Sequence, residues 1–202
     1  MTDVDGVAAL ELNISCPNIK EGGIQFGCNL NSTHDVVSAV RKVTRLPVIP
    51  KLTPNVTDVA SFARAAEEAG ADAVSLINTL NSIMRVDYDT LTIYPATDGK
   101  GSHGGYCGPA VKPIALHMVA EIARSRETAG LPISGIGGIT DWRDAVDFLA
   151  LGATTVQVCT AAMVYGFKII DDLVDGLDNF LDQKGFASVR ELVGKAVPSV
   201  TD

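Results

Sequence analysis

Apolar and polar positions fall into alternating blocks along the chain, and the blocks predict strands and helices in turn. Leu10-Glu11-Leu12-Asn13-Ile14-Ser15 has the period of a strand, with Val7-Ala8-Ala9 before it. A glycine-rich loop follows, then a helix over about His34 to Val43. Leu46 to Leu52 is the next strand, in which Pro50 is awkward because proline gives no ladder donor. Phe62, Ala65, Ala66 and Ala69 recur at helical spacing within Asp58 to Ala69, and Gly70 stops that helix. Ala73 to Asn78 is a third strand, and residues 79 to 106 are an insertion rich in Asp, Thr and Gly, expected to hold a short hairpin. Pro113 to Ala123 is a helix with proline in its first turn. Ile133 to Gly138 is a fourth strand ending in glycines, and Asp141 to Leu151 is a helix capped by Thr140 or Asp141. Thr155 to Thr160 is a fifth strand, Lys168 to Lys184 the last long helix, and Ser188 to Val193 a short one.

Two junctions repeat one phrase: Ala69-Gly70-Ala71-Asp72-Ala73-Val74 and Leu151-Gly152-Ala153-Thr154-Thr155-Val156. Each is a helix end, a glycine stop, a small residue and a buried strand, which argues for parallel strands joined by crossover helices. A (β/α)8 barrel and a doubly wound open sheet both fit. A barrel needs eight units and about 250 residues. This chain of 202 residues offers five strands and opens directly on one. A barrel reading therefore leaves three units outside it, whereas an open sheet needs no missing part.

Composition narrows the function. Hydrophobic residues make up 47% and charged residues 20%, enough apolar material for a packed core. The net charge of −8 repels phosphate backbones and argues against nucleic acid as a general partner. No apolar run approaches the roughly 20 residues of a membrane span, and the acidic start lacks the cationic region of a secretory signal. The chain reads as a soluble, cytoplasmic protein. Cys16, Cys28, Cys107 and Cys159 form no C-x-x-C pair, so no zinc or iron–sulfur site is expected. His34, His103 and His117 have no partner at ligand spacing and read as structural or surface residues. The acidic helix with Asp171, Asp172, Asp175, Asp178 and Asp182 reads as a solvated face.

Parallel α/β folds gather their chemistry where strands end. The first strand ends Asn13-Ile14-Ser15-Cys16-Pro17-Asn18, with two amides, a hydroxyl and a thiol in six residues. Amides read planar polar groups by donor and acceptor together, and a tuned thiol is an acid or base near neutral pH. The second ends Lys51-Leu52-Thr53-Pro54-Asn55, where a lysine needs an anion or an electron-rich ring unless it reaches solvent. The third ends Asn78-Thr79. The fourth ends Gly135-Ile136-Gly137-Gly138-Ile139 and the fifth Cys159-Thr160, a glycine run and a hydroxyl suited to a phosphate. The sum is a small planar polar substrate read by Asn13, Asn18, Asn78 and Thr79, beside the thiol of Cys16. A phosphorylated cofactor would sit at Gly137, Gly138, Cys159 and Thr160 with Lys51 near its ring, the layout of a flavin mononucleotide (FMN) enzyme. Cys28 and Cys107 receive no role.

These strand ends, together with Cys107-Gly108-Pro109-Ala110-Val111-Lys112-Pro113, resemble the dihydroorotate and dihydropyrimidine dehydrogenase superfamily over nearly the whole chain. The segment from Cys16 to Gly27 resembles class 1B dihydroorotate dehydrogenases. Gly99 to Gly108, Val156 to Met163 and the Tyr165-Gly166-Phe167 that follows look more like the catalytic subunit of bacterial NAD-dependent dihydropyrimidine dehydrogenase. The resemblance implies an FMN-binding (β/α)8 TIM barrel of which residues 1–202 are a single partial domain carrying about strands four to eight. It implies Cys16 as the acid/base at C5 of the pyrimidine, with hydride passing between C6 and the flavin. Asn13, Ser15, Asn78 and Thr79 would hold the substrate. Lys51 would face the flavin ring and Gly108 would lie along it, with Ile136, Gly137, Gly138, Cys159 and Thr160 completing the cofactor site. Asn18 departs from the dihydropyrimidine pattern and matches the orotate-type enzymes, where it helps bind substrate.

The leading expectation is a uracil/thymine-type dihydropyrimidine dehydrogenase, with dihydroorotate dehydrogenase as the alternative and an inactive half-barrel as a further one. A flavin-independent phosphate-binding enzyme is a poorer fit, having no need of the Asn13/Ser15/Cys16/Asn18 cluster. No G-x-G-x-x-G run at a strand-to-helix turn, the context of an NAD fingerprint, and no cluster-binding cysteine set is present, so electrons are expected to pass to a partner subunit or domain carrying iron–sulfur, FAD or NAD. An oligomer is compatible with all of this.

Overall fold

The computed structural model describes residues 4–15, 26–94, 96–98, 100–101 and 103–201. Among these, strands β1 (Leu10–Asn13), β2 (Val48–Lys51), β3 (Val74–Leu76), β10 (Ile133–Ile136) and β11 (Thr155–Gln157) form one sheet in the order β1-β2-β3-β10-β11. Every neighbouring pair is parallel. Strand order follows chain order without reversal, so the sheet has no switch point of the doubly wound kind. Pro50 is buried in β2, opposite Leu12. The other edge of β2 pairs with β3 at Lys51–Ser75, and the ladder continues past it through Leu52 N–H to the Ser75 carbonyl at 2.8 Å.

The sheet is rolled. Strands lie about 4.8 Å apart, so the first and fifth of a flat sheet would stand about 19 Å from each other. Yet Gln157 of β11 donates from Nε2 to Glu11 Oε2 of β1 at 2.7 Å. That bond is possible only if the two edges curl toward one another. The concave face carries Glu11, Lys51, Ser134 and Gln157.

The convex face is apolar and takes the helices. Val48, Val74, Leu76 and Ile133 are fully or almost fully buried against α2 (Val59–Glu68), α3 (Lys112–Arg124) and α4 (Trp142–Ala150). Gly135 lets Phe148 sit on the sheet, since a Cβ there would lie 2.5 Å from Phe148 Cδ1. Helix α1 (Leu30–Arg41) begins earlier than the periodicity suggests, because Asn29 caps it by accepting from Ser32 N–H. Asp58 caps α2 and Asp141 caps α4, the latter in a reciprocal box with Asp144.

The fifth strand is shorter than expected. It stops at Gln157, and Thr160 opens the short helix α5 (Thr160–Tyr165). Then come α6 (Ile169–Lys184), whose five aspartates are all exposed, and α7 (Val189–Leu192). Met163 and Phe167 are more than four-fifths exposed on this edge.

The insertion is more than one hairpin. β4 (Leu80–Ser82) pairs with β9 (Gly104–Tyr106), β5 (Arg85–Val86) with β6 (Ile93–Tyr94), and β7 (Ala96–Thr97) with β8 (Lys100–Gly101), all antiparallel. Asp87 closes the β5–β6 turn by accepting from the backbone N–H groups of Asp89 and Thr90. Among the described residues, no helix is long and apolar enough to cross a membrane.

Replacing Phe148 by Ala removes a side chain with no solvent exposure that wedges between sheet and helix. The expected loss is about 3–5 kcal/mol of unfolding free energy by urea titration. A loss below about 1 kcal/mol would contradict this placement of the core.

Candidate functional site

The ends of β1, β2 and β3 meet at Asn78. Its Nδ2 donates to Asn13 Oδ1 and to Ser15 Oγ, both at 2.9 Å, and its Oδ1 accepts from Thr79 N–H at 2.8 Å. Ser15 is fully buried and donates to the Lys51 carbonyl at 2.8 Å, which ties the first strand's exit to the second's. With its oxygen engaged, Asn13 is left to present its NH2 group. Asn55 supports the same region by donating to the Thr79 carbonyl at 3.2 Å and accepting from Asn81 N–H at 3.1 Å. The sequence places Asn13, Ser15, Asn78 and Thr79 in one substrate site, and the structure brings them together. Cys16 and Asn18 lie outside the described residues.

A cavity of about 270 Å3 opens beside this hub. Lys51, Gly108, Ile136, Gly137, Gly138, Cys159 and Thr160 all line it, as do Asn78 and Thr79. Apolar side chains of Ile77, Val111, Ile139 and Val158 also line it. Gly137 and Gly138 take φ of +135° and +76°, conformations that side chains resist. A Cβ on Gly138 would lie 2.9 Å from the Gly108 carbonyl and 2.8 Å from Lys112 Cβ. Cys107, given no role by the sequence, also lines the cavity, its sulfur 3.5 Å from the Thr160 hydroxyl.

Beneath the cavity lies a polar layer that the sequence did not single out. Lys51 Nζ stands 3.5 Å from Glu11 Oε1, while Glu11 Oε2 accepts from Gln157. Gln157 Nε2 also reaches Ser134 Oγ at 3.1 Å, and Thr155 donates to that hydroxyl at 2.9 Å. In Leu10-Glu11-Leu12-Asn13 the sequence does not distinguish whether Glu11 faces solvent or the inside of the roll.

Lys112, next to the glycine loop, is spoken for. Its ammonium is hydrogen-bonded to Asp144 and lies 2.6 Å from Asp147 Oδ2. The second Asp144 oxygen accepts from Thr140 N–H and Oγ, both at 2.7 Å, and from Asp141 N–H at 3.1 Å. Burial works to raise the Asp144 carboxyl, but the bonds from Lys112, Thr140 and Asp141 outweigh it and hold it below the ordinary carboxylate range. Burial likewise works to lower Lys112, and the two aspartates outweigh it to leave the ammonium above its usual value.

Parallel β/α folds bind small molecules where their strands end, and this chain has gathered glycines, amides and a lysine at that rim. It is a parallel β/α domain with a cavity at its strand ends. The family profile described as dihydroorotate dehydrogenase matches residues 4–181, and the chain belongs to that family. It is 44% identical over 189 residues to the dihydroorotate dehydrogenase B (NAD(+)) catalytic subunit of Pyrococcus abyssi, covering 94% of this chain and 60% of that protein. The corresponding subunit of Thermococcus kodakarensis is 46% identical with the same coverage. That of Bacteroides thetaiotaomicron is 44% identical over 194 residues, 96% of this chain and 61% of that protein. The chain thus spans about three-fifths of the length of these relatives. These relatives carry the dihydroorotate name, which favours the dihydroorotate alternative over the expectation of a dihydropyrimidine dehydrogenase subunit.

The Lys112–Asp144 network gives the fold two pH limits. The lowered Asp144 contributes stability at neutral pH that is lost as pH falls through its folded value, below the ordinary carboxylate range. The raised Lys112 contributes stability present below the ordinary lysine range and lost as pH rises through its higher folded value. Asp144→Asn should lower the midpoint of urea unfolding at pH 7 and flatten the acid limb. An unchanged acid limb would remove Asp144 from that role.

Proposed function

We propose that this chain is the FMN-carrying catalytic part of a dihydroorotate dehydrogenase of the B type. It would oxidise dihydroorotate to orotate and hand the electrons to a partner subunit bearing iron–sulfur, FAD or NAD-binding groups. The observation that carries the reading is the single cavity in which Lys51, the glycines of two strand-end loops and the Asn78 hub converge. The five parallel strands are read as five of the eight of a (β/α)8 barrel, the remaining three closing the roll between β11 and β1. The curl measured by Gln157 and Glu11 and the chain's three-fifths share of its relatives support that.

The residues fit the cofactor. Gly138 leaves a cradle that a Cβ would fill against Gly108, and Thr160 adds a hydroxyl at the same end, suited to a phosphate. The apolar lining suits a planar ring system, and Lys51 lines the cavity near the amides. Bound FMN supplies the hydride acceptor for the hydrogen that leaves C6 of the substrate. Asn13, Ser15, Asn78 and Thr79 would orient the pyrimidine amides and carbonyls. Cys16 would take the proton leaving C5, and Asn18 would hold the substrate beside it.

The full protein should absorb near ~450 nm, a property of bound flavin, and anaerobic dihydroorotate should bleach that band while dihydrouracil leaves it. Bleaching by dihydrouracil alone would return the uracil/thymine reading. A flavin-loaded protein inert to both would overturn both substrate assignments. Gly138→Ala should lose the bound flavin, and a variant that keeps it would move the phosphate end elsewhere. Asn78→Ala leaves Asn13 and Ser15 without their shared partner, so KM for dihydroorotate should rise roughly five- to 150-fold, corresponding to about 1–3 kcal/mol of unpaired hydrogen bonding. An unchanged KM would remove the hub from substrate binding.

A further inference from the structure

We propose that Glu11 is a positioning residue for Lys51 and holds down the reduction potential of the flavin that the cavity takes, an inference that rests on the cofactor reading above. Lys51 and Gln157 line the cavity, and Glu11 joins them. One carboxylate oxygen lies 3.5 Å from the Lys51 ammonium. The other is fastened by Gln157, itself hydrogen-bonded to Ser134, so the carboxylate is anchored from the far edge of the sheet.

A neutral glutamine at position 11 could keep the edges of the roll hydrogen-bonded, and a partly shielded carboxylate costs desolvation that such a contact does not require. The charge is therefore not explained by the fold. It is explained by Lys51, whose side chain is 22% exposed, with 32% for Glu11, so that the pair interacts more strongly than it would in bulk water. An ammonium alone in the cavity would favour added electrons on a neighbouring ring. The carboxylate 3.5 Å away offsets its field, and the ring then gives its electrons up more readily.

The test is the midpoint potential of the flavin in the full, flavin-loaded protein, measured by equilibration with a reference dye. Glu11→Gln keeps the size of the side chain and one acceptor oxygen for Gln157, and removes its charge. The expected result is a shift to more positive potential. The shift should shrink in a Lys51→Met background, because the part transmitted through the ammonium is gone. An unchanged potential in Glu11→Gln overturns the proposal. Equal shifts in both backgrounds also overturn it, since the carboxylate would then act on the flavin directly. If Glu11→Gln does not fold, Gln157→Leu gives the same reading by unfastening the carboxylate: a positive shift supports the proposal and no shift overturns it. A full protein that carries no flavin overturns the cofactor reading and this proposal with it, whereas a flavin-loaded protein with invariant potentials overturns this proposal alone.

Discussion

Three stretches of backbone meet at Gly138 without room for a side chain between them. The exit of β10, the loop at Gly108 and the first turn of α3 at Lys112 approach so closely that a Cβ would fall 2.9 Å from the Gly108 carbonyl and 3.1 Å from Lys112 N. The cavity wall follows from that contact, because it sets the glycine loop against the base of the 79–106 insertion. The Lys112–Asp144 network follows too, since it ties the start of α3 to the cap of α4 and locks the loop between them.

The second organising element is the curvature of the sheet. Rolling the sheet turns one face inward, and polar residues on that face then meet one another rather than water. Glu11, Gln157 and Ser134 come from strands far apart in the chain, yet they form one layer. The same curvature brings the exits of β1, β2 and β3 close enough for one amide, Asn78, to bind two of its neighbours.

Much of this was legible in the chain. The five parallel strands and their helices follow from short apolar runs separated by glycine stops, and most of the residues lining the cavity's glycine and lysine side follow from which positions end those strands. The polar layer was not legible, because an alternating strand looks the same whether its polar side faces solvent or the inside of a roll. Glu11 in Leu10-Glu11-Leu12-Asn13 is such a case. The reach of the fifth strand was overestimated because Val158, Cys159 and Thr160 keep strand-like character, while the helix that starts at Thr160 is set by the chain's turn over the cavity. The three ladders of the insertion depend on local turn bonds such as those of Asp87, which carry no hydrophobic period.

The engagement of Lys112 has a consequence for how a phosphorylated molecule would enter. Lys51 is the charged side chain among the described residues that line the cavity, and at the glycine end the nearby ammonium is already matched by two aspartates. A dianion there would rest on N–H and hydroxyl dipoles, whose reach is short. On a protein of net charge −8 such a ligand is not drawn in from a distance. Loading should be slow, but once seated the ligand should depend little on ionic strength, because the charges at that end are already paired with one another.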